Sequence, residues 1–341
     1  MDPRVLDRMR CPVCGDPLQQ ATDTRALRCP RRHSFDIARQ GYVNLLTGRA
    51  PHVGDTAEMI AARADFQAAG HYDVISAALA AAATDAVSRL GVTDPPHPAP
   101  NPPTLCSAPA EATASQPSRR LEGCRAKDPT AEVRVEPSPP DIEPPAPDVG
   151  AYPLVVDAGA GTGRYLGAVL AALPAAVGLA LDVSKPALRR AARAHPRAAA
   201  ALADTWRRLP LADASTAVLL NVFAPRNGPE FHRVLDPAGT LLVVTPTADH
   251  LAELVDALDL LRVDPDKADR VTGSLGGHFT PVSSAVHRAE LVLTRPEVAT
   301  LVGMGPSAWH TDPDSLATRL AALPEPVRVT VAVRLDVLRP R

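Results

Sequence analysis

The chain has 341 residues, 45% of them hydrophobic, and a net charge of −2. That length suits two domains, or one large domain with attachments, and the near-neutral charge argues against a protein that coats nucleic acid through phosphate neutralisation alone. No stretch reaches the roughly 18 consecutive apolar residues of a membrane span. The N-terminus MDPRVLDRMRCP lacks the apolar core of a signal peptide, so a soluble, cytoplasmic protein without membrane contact is expected.

Residues 1–48 read as a small zinc-binding module. Three of the five cysteines fall within the first 29 residues, and without a secretion signal they read as metal ligands before disulfides. Cys11-Pro-Val-Cys14 is followed after fourteen residues by Cys29-Pro-Arg-Arg-His33. Two thiolates on one tight turn, with a Cys and a His on a second, can close a tetrahedral site, and closed sites of this kind stabilise a fold without catalysing anything. Few large apolar residues lie between the two turns, so one Zn2+ would hold the module together. Arg28, Arg31, Arg32, His33 and Arg39 also make this region locally basic.

Residues 49–92 form a helical connection, because Asp55 to Leu90 is rich in Ala and Leu with apolar residues at helical spacing. Residues 93–150 are dominated by Pro, Ala, Ser, Asp and Glu, with PPHPAPNPP, EPSPP and EPPAP inside. Repeated Pro removes backbone donors and breaks helices, so an unfolded insertion is expected there, carrying Cys106 and Cys124.

From residue 151 to 341 short β-branched runs alternate with Ala-rich helical runs. YPLVVDAG, VGLALDV, STAVLLNVF and TLLVVTP are strand candidates; RYLGAVLAAL, KPALRRAARAH and PEFHRVL are helix candidates. This alternation predicts an α/β fold with a parallel sheet, doubly wound, and VRVTVAVRLDVL suits an antiparallel strand beside it. Arg189, Arg190, Arg193, His195 and Arg197 form a second basic cluster, read either as a solvated helix face or as an RNA contact.

The first strand runs into Asp157-Ala158-Gly159-Ala160-Gly161-Thr162-Gly163. Glycines there let the backbone approach a ligand, and the helix that follows offers unpaired N–H groups. Dinucleotide enzymes use G-x-G-x-x-G at the same place, but here the spacing is G-x-G-x-G with Asp157 two residues ahead, which resembles the cofactor loop of class I methyltransferases. Asp182 ends the second strand, where a carboxylate can accept both ribose hydroxyls, as in NAD enzymes too; it could equally cap the next helix with Ser184. Asp204 follows the third apolar run, where methyltransferases commonly bind adenine, and could also be a turn residue. No cysteine is free for C5-methylation of a pyrimidine, and the fourth strand ends Asn221-Val222-Phe223-Ala224-Pro225 instead of the Asn/Asp-Pro-Pro-aromatic run of exocyclic-amine methylation. GxxxxGK is absent.

Together CPVC, CPRRHSFDIARQGYVNLL, GDTAEM, ARADFQAAGHY, the glycine loop, LDVSKPA, NVFAPRNGPEF, VVTPTADHLAELV and MGPSAWH closely resemble the 23S rRNA guanine-N1 methyltransferases of RlmA type, over nearly the whole chain except the Pro-rich segment. NVFAPRN, DHLAEL and MGPSxWH are most like its actinomycete tylosin-resistance branch. The resemblance implies a class I (Rossmann-like) methyltransferase domain binding S-adenosylmethionine, a guanine in a domain II hairpin of 23S rRNA as substrate, and macrolide resistance as outcome. It places Tyr72, Gly161, Thr162 and His250 at cofactor-contacting positions, and Cys11, Cys14, Cys29 and His33 at the zinc ligands; from composition alone Tyr72 and His250 read as ordinary packed or surface residues. Asn221 is the candidate for orienting the guanine through its amide, with no carboxylate assignable as base. Rival readings are a methyltransferase of the same fold acting on the neighbouring hairpin guanine or on a small molecule, or a non-catalytic RNA-binding protein that kept the fold. The sequence does not decide between monomer and homodimer.

Overall fold

The computed structural model describes residues 1–48, 54–91, 152–261, 273–305 and 312–341. The expected insertion at 93–150 and most of the MGPSAWH run lie outside them. The chain opens with a short helix α1 (Pro3–Leu6) and the strands β1 (Gln19–Gln20), β2 (Ala26–Arg28) and β3 (Ser34–Asp36), paired antiparallel in that order. Next come β4 (Val43–Asn44) and the helices α2 (Ala57–Ala68) and α3 (Asp73–Arg89). The alternating part runs β5 (Leu154–Ala158), α4 (Arg164–Ala172), β6 (Val177–Asp182), α5 (Lys185–Ala191), β7 (Ala198–Leu202), β8 (Thr216–Val222), α6 (Gly228–Val234) and β9 (Leu235–Pro246). The chain closes with α7 (Ala252–Leu258), β10 (Phe279–Leu293), α8 (Arg295–Gly303), α9 (Pro313–Ala322) and β11 (Val327–Pro340).

Local chemistry sets the helix starts. Thr56 accepts from the Met59 N–H at 3.2 Å to cap α2, and Ser184 accepts from Ala187 N at 3.3 Å to cap α5, with Pro186 in the first turn. Thr294 and Glu297 form a reciprocal capping box on α8. The strands β5 and β8 are buried along their full length, as parallel strands covered on both faces must be. Among the described residues no helix is long and apolar enough to cross a membrane.

The main sheet has eight strands in the order β10-β11-β9-β8-β5-β6-β7-β4. From β4 to β9 every pairing is parallel, and β11 pairs antiparallel with both β9 and β10. The final apolar run is therefore the antiparallel strand expected, but it lies between β9 and β10 and not at the edge. β10 carries Pro281 and a serine pair, which hide its strand character, and its register shifts between Pro281 and Ser283. Strand order reverses between β5 and β8, the switch point beside which open α/β sheets bind ligands at their C-terminal strand ends.

The two faces of the sheet are covered differently. On one, α2, α3, α4, α5, α7 and α8 supply Phe66, Leu79, Leu166, Leu188, Leu254 and Val298 to a single core. On the other, α1, the N-terminal ribbon and α6 supply Val5, Met9, Leu27 and Phe231 against Leu154, Val156 and Leu179.

Candidate functional site

In the ribbon, two tight turns face each other. Gly15 N donates to Cys11 O at 2.8 Å and Arg32 N to Cys29 O at 2.9 Å, with Gly15 and Arg32 both at positive φ. These turns gather Cys11 Sγ, Cys14 Sγ, Cys29 Sγ and a ring nitrogen of His33 within 4.8 Å of one another. The Cys14–Cys29 sulfur separation is 3.6 Å, and His33 Nδ1 lies 3.6 Å from Cys11 Sγ and 3.3 Å from Cys29 Sγ. A tetrahedral zinc with thiolate and imidazole ligands sets such edges at about 3.6–3.8 Å, so the four atoms fit one Zn2+. Burial pushes the Cys14 thiol up to about 12, and its thiol neighbours add to this. Burial also acts on Cys29, but the His33 N–H and neighbouring side chains outweigh it and bring that thiol down to about 7. Crowded protons of this kind are what a divalent cation displaces.

The ribbon is fused to the sheet. Arg10 N donates to Pro210 O at 3.0 Å, Ala212 N to Arg8 O at 2.9 Å and Leu45 N to Leu202 O at 2.9 Å, while Val43 and Asn44 of β4 pair with β7. Arg8 is fully buried: its Nη1 donates to Ser215 O at 3.0 Å, and its guanidinium lies 4.6 Å from the Tyr152 ring centroid. On the ribbon surface Arg28 pairs with Asp23 and Arg31 with Asp16, both at 3.0 Å. In the second basic cluster Arg189, Arg190 and Arg193 are exposed, whereas Arg197 turns inward and donates to Leu170 O, Leu173 O and Ala176 O at the end of α4.

The glycine loop follows β5 at the switch point. Gly159 N and Ala160 N both donate to Leu181 O, at 2.9 and 3.0 Å, and Gly161 N donates to Asp182 Oδ2 at 2.8 Å. Asp182 Oδ1 accepts from Ser184 N at 2.8 Å, so this carboxylate both holds the loop and fixes Ser184, the cap of α5. Gly159 sits at φ +88, and a Cβ there would lie 2.4 Å from Ala224 Cβ; the turn after β8 rests directly on the loop. Asp157 is 1% exposed, and neither of its carboxylate oxygens has a hydrogen-bond partner. Burial and the neighbouring Asp182 push its carboxyl up to about 8, and the Leu166 amide, close but without hydrogen-bond geometry, offsets only part of this. Burial raises Asp182 as well. The buried Asp157 carboxyl, two residues ahead of the glycines and with both oxygens unpartnered, offers acceptors that suit the cationic amino-acid end of S-adenosylmethionine.

Helix α2 lies over the loop. Thr162 Oγ1 donates to Gln67 Oε1 at 2.6 Å, Arg63 pairs with Asp55 at 2.6 Å and donates to Met304 O at 2.8 Å, and Ser184 Oγ donates to Asp55 O at 2.9 Å. Asp55, Arg63 and Gln67 carried no single-residue signal; only their place in GDTAEM and ARADFQAAGHY marked them. Past the loop, Tyr72 (6% exposed) and His250 (9% exposed) bring their rings within 6.3 Å of each other. Burial raises the Tyr72 phenol above its usual range, and His250 Nδ1 accepts from Ala332 N at 3.2 Å, which leaves the ring proton on Nε2.

Phe223, not singled out from sequence, completes this group, with ring centroids 6.5 Å from Tyr72 and 6.1 Å from His250. Its φ is +53, a left-handed backbone that costs a bulky residue about 1–3 kcal/mol. Asn221 is fully buried beneath it, its Nδ2 donating to Ala158 O at 3.2 Å and to Pro225 O at 2.8 Å. In this arrangement it presents no amide hydrogen to a base, and its Oδ1 has no hydrogen-bond partner. Asp204 lies two residues beyond β7; its Oδ1 accepts from Trp206 N at 3.0 Å, and Arg207 Nε lies 3.5 Å from its other oxygen. Contacts thus join Asp157, the glycines and Asp182 in one cluster and Tyr72, Phe223 and His250 in another, with the Asn221 turn between them.

A doubly wound sheet of this strand order, with an acid-flanked glycine loop at its switch point and a Cys3His ribbon on its far face, defines a class I S-adenosylmethionine-dependent methyltransferase with a structural zinc. A family model described as the RlmA N-terminal zinc ribbon matches residues 9–49. A Micromonospora griseorubida protein whose name places it among the 23S rRNA (guanine-N(1)-)-methyltransferases is 62% identical over 100% of both chains. The Streptomyces fradiae 23S rRNA (guanine(748)-N(1))-methyltransferase is 43% identical over 100% of this chain and 99% of its own. Among solved structures, a methyltransferase from Geobacter sulfurreducens in complex with S-adenosyl-L-homocysteine covers 55% of this chain and 85% of its own, at 15% identity and a TM-score of 0.35. The chain belongs to the 23S rRNA guanine-N1 methyltransferase family.

Proposed function

We propose that the protein transfers a methyl group from S-adenosylmethionine to N1 of guanine 748 in the domain II hairpin of 23S rRNA, and that this protects ribosomes against tylosin-type macrolides. The observation that carries the reading is 43% identity, end to end, with the S. fradiae enzyme named for that nucleotide. Bound S-adenosylmethionine supplies an activated methyl on a cationic sulfur. Asp157, with two unpartnered oxygens, and the Thr162 amide would hold its amino-acid end, while Gly159, Gly161 and Gly163, whose amides bond within the protein, let the backbone approach it. Asp182 keeps a lone pair on each oxygen for ribose hydroxyls, and Asp204 stands at the next strand end for the adenine. Tyr72 and His250, buried side by side past the loop, would contact the cofactor. The role of Asn221 toward the guanine is exerted through the turn it braces, by its bonds to Ala158 O and Pro225 O.

Guanine N1 carries a proton that must leave as the methyl arrives, and fixing the two reactants in attack geometry can supply about 7–11 kcal/mol of the barrier reduction. A loop guanine splayed from its stack is far easier to deliver than one in a duplex. Cys11, Cys14, Cys29 and His33 would hold the zinc, and the basic ribbon around them would grip the hairpin. In the resulting RNA the methyl replaces the N1 donor and adds bulk, so a macrolide loses a hydrogen bond and meets a clash.

The test pairs mass spectrometry of the isolated domain II hairpin with drug susceptibility of a host lacking its own enzyme. One added methyl at guanine 748 and raised tylosin tolerance are expected. A hairpin left unmodified by the wild-type protein would overturn the RNA reading, and modification without tolerance would overturn only the resistance claim.

A further inference from the structure

We infer that Phe223 is the platform on which the target guanine stacks. The inference rests on the guanine reading above and names a substrate contact for it. Four observations converge on this side chain. It stands at the end of β8, at the switch point, and the turn it heads packs on the glycine loop, where a Cβ on Gly159 would meet Ala224 Cβ at 2.4 Å. It is 40% exposed, whereas its ring neighbours Tyr72 and His250 are buried. Its backbone is held at φ +53, with Phe223 N donating to Val244 O at 3.2 Å and Asn221 tying the turn to Ala158 O and Pro225 O.

Each feature works against stability by itself. An exposed phenyl group forgoes burial, and a left-handed backbone disfavours any residue with a bulky side chain. Glycine or asparagine would relieve the strain at that position. A fold that fixes a strained, exposed aromatic beside the methyl donor's loop, with its other side braced by two buried rings, has built a rigid flat surface facing outward. Unstacked bases of RNA loops are captured on such surfaces, because every base has a π-face and the aromatic loses little entropy on binding. Phe223 offers no hydrogen bond, so it sets the plane of the guanine and leaves discrimination of its edge to other groups. It is a positioning contact that touches substrate, and no proton moves through it.

The experiment uses the full-length protein with the domain II hairpin and measures kcat and KM for RNA, the dissociation constant for S-adenosylmethionine, and Tm. Phe223→Ala is expected to lower kcat/KM for the hairpin about 5- to 150-fold, with cofactor affinity unchanged and zinc retained. Phe223→Trp and Phe223→Tyr retain activity within a few-fold, while Phe223→Leu, similar in bulk but without a π-face, behaves like Phe223→Ala. Phe223→Gly, which suits the backbone, keeps Tm at the wild-type value or above and still shows the loss. Full activity in Phe223→Leu, or a parallel loss of cofactor affinity in Phe223→Ala, overturns the inference: the first makes the ring packing alone, the second makes it part of the cofactor pocket. Wild-type protein that leaves the hairpin unmethylated instead overturns the underlying function, which separates the two failures.

Discussion

The zinc ribbon and the glycine loop present two opposite ways of preparing a binding site. In the ribbon, four ligand atoms lie within 4.8 Å of one another, an arrangement shaped for one cation. In the loop, Asp157 lies buried with both oxygens unpartnered, and its carboxyl is pushed up to about 8. The ribbon stores geometry; the loop stores unfavourable electrostatics that a cationic ligand relieves. The difference teaches what each ligand contributes. The metal supplies folding free energy, whereas the cofactor relieves a cost that folding has already incurred.

The largest expected effect comes from the ribbon. Because Val5, Met9, Leu27 and Cys29 share one core with Leu154, Val156 and Leu179, removing the metal should unsettle the sheet and not merely free the N-terminus. Chelation, or a Cys11→Ala/Cys14→Ala variant, should abolish zinc content and lower Tm by at least about 10 °C, as metal analysis and a thermal scan would show. An unchanged Tm after complete zinc loss would break the comparison.

The loop is tested by pH. A carboxyl whose folded-state pKa stands at about 8 instead of 3.8 binds more protons folded than unfolded between those values. Stability of the ligand-free protein therefore falls as pH rises from about 4 to 8, by about 5 kcal/mol from Asp157. Asp157→Asn should remove most of that slope, raise Tm at pH 8 relative to wild type, and weaken S-adenosylmethionine binding about 10- to 100-fold. Parallel Tm–pH curves for the two proteins would show that Asp157 is not the stored charge.

A smaller effect is expected at Gly163, whose φ is +79 and where a Cβ would lie 2.8 Å from Ala191 Cα. Gly163→Ala should cost about 2–4 kcal/mol and lower Tm by roughly 5–10 °C, combining left-handed strain with a backbone clash. The smallest effect is reserved for the ribbon's surface. Arg28→Ala removes an exposed pair with Asp23 and should leave Tm within about 2 °C, yet reduce the salt slope of hairpin binding by about 1 if that arginine meets a phosphate. A large Tm loss there would contradict a ribbon held by its metal and core.

Much of this was legible because its signals are local. Cys11, Cys14, Cys29 and His33 are spaced as two turns, and β5, β6, β8 and β9 are short apolar runs bounded by polar residues. What escaped reading depends on partners far along the chain. Thr162 and Gln67 meet across 95 residues, and Arg63 reaches Met304 across 241; each lies in a run the sequence marks, but no local pattern pairs them. β10 was hidden by Pro281 and its serines, and β4 counts as a strand only because β7 lies beside it. Asn221 shows the limit of reading polar residues at strand ends. Its position drew notice, but burial turned its Nδ2 to backbone carbonyls, while the apolar Phe223, two residues on, took the exposed place.

The pairing of β4 with β7 also constrains how this molecule can be divided. Val43 and Asn44, continued by the Leu45 N–H to Leu202 O bond, occupy the hydrogen-bonding edge of β7. A fragment beginning after residue 48 would leave that rim of amides and carbonyls bare, together with the apolar underside that Val5, Met9 and Leu27 now cover. Bare rims of this sort recruit strands from neighbouring molecules and drive aggregation. The ribbon thus acts as the sheet's selvedge, finishing an edge that would otherwise fray into its neighbours, and the two parts are best inherited, expressed and engineered as one piece.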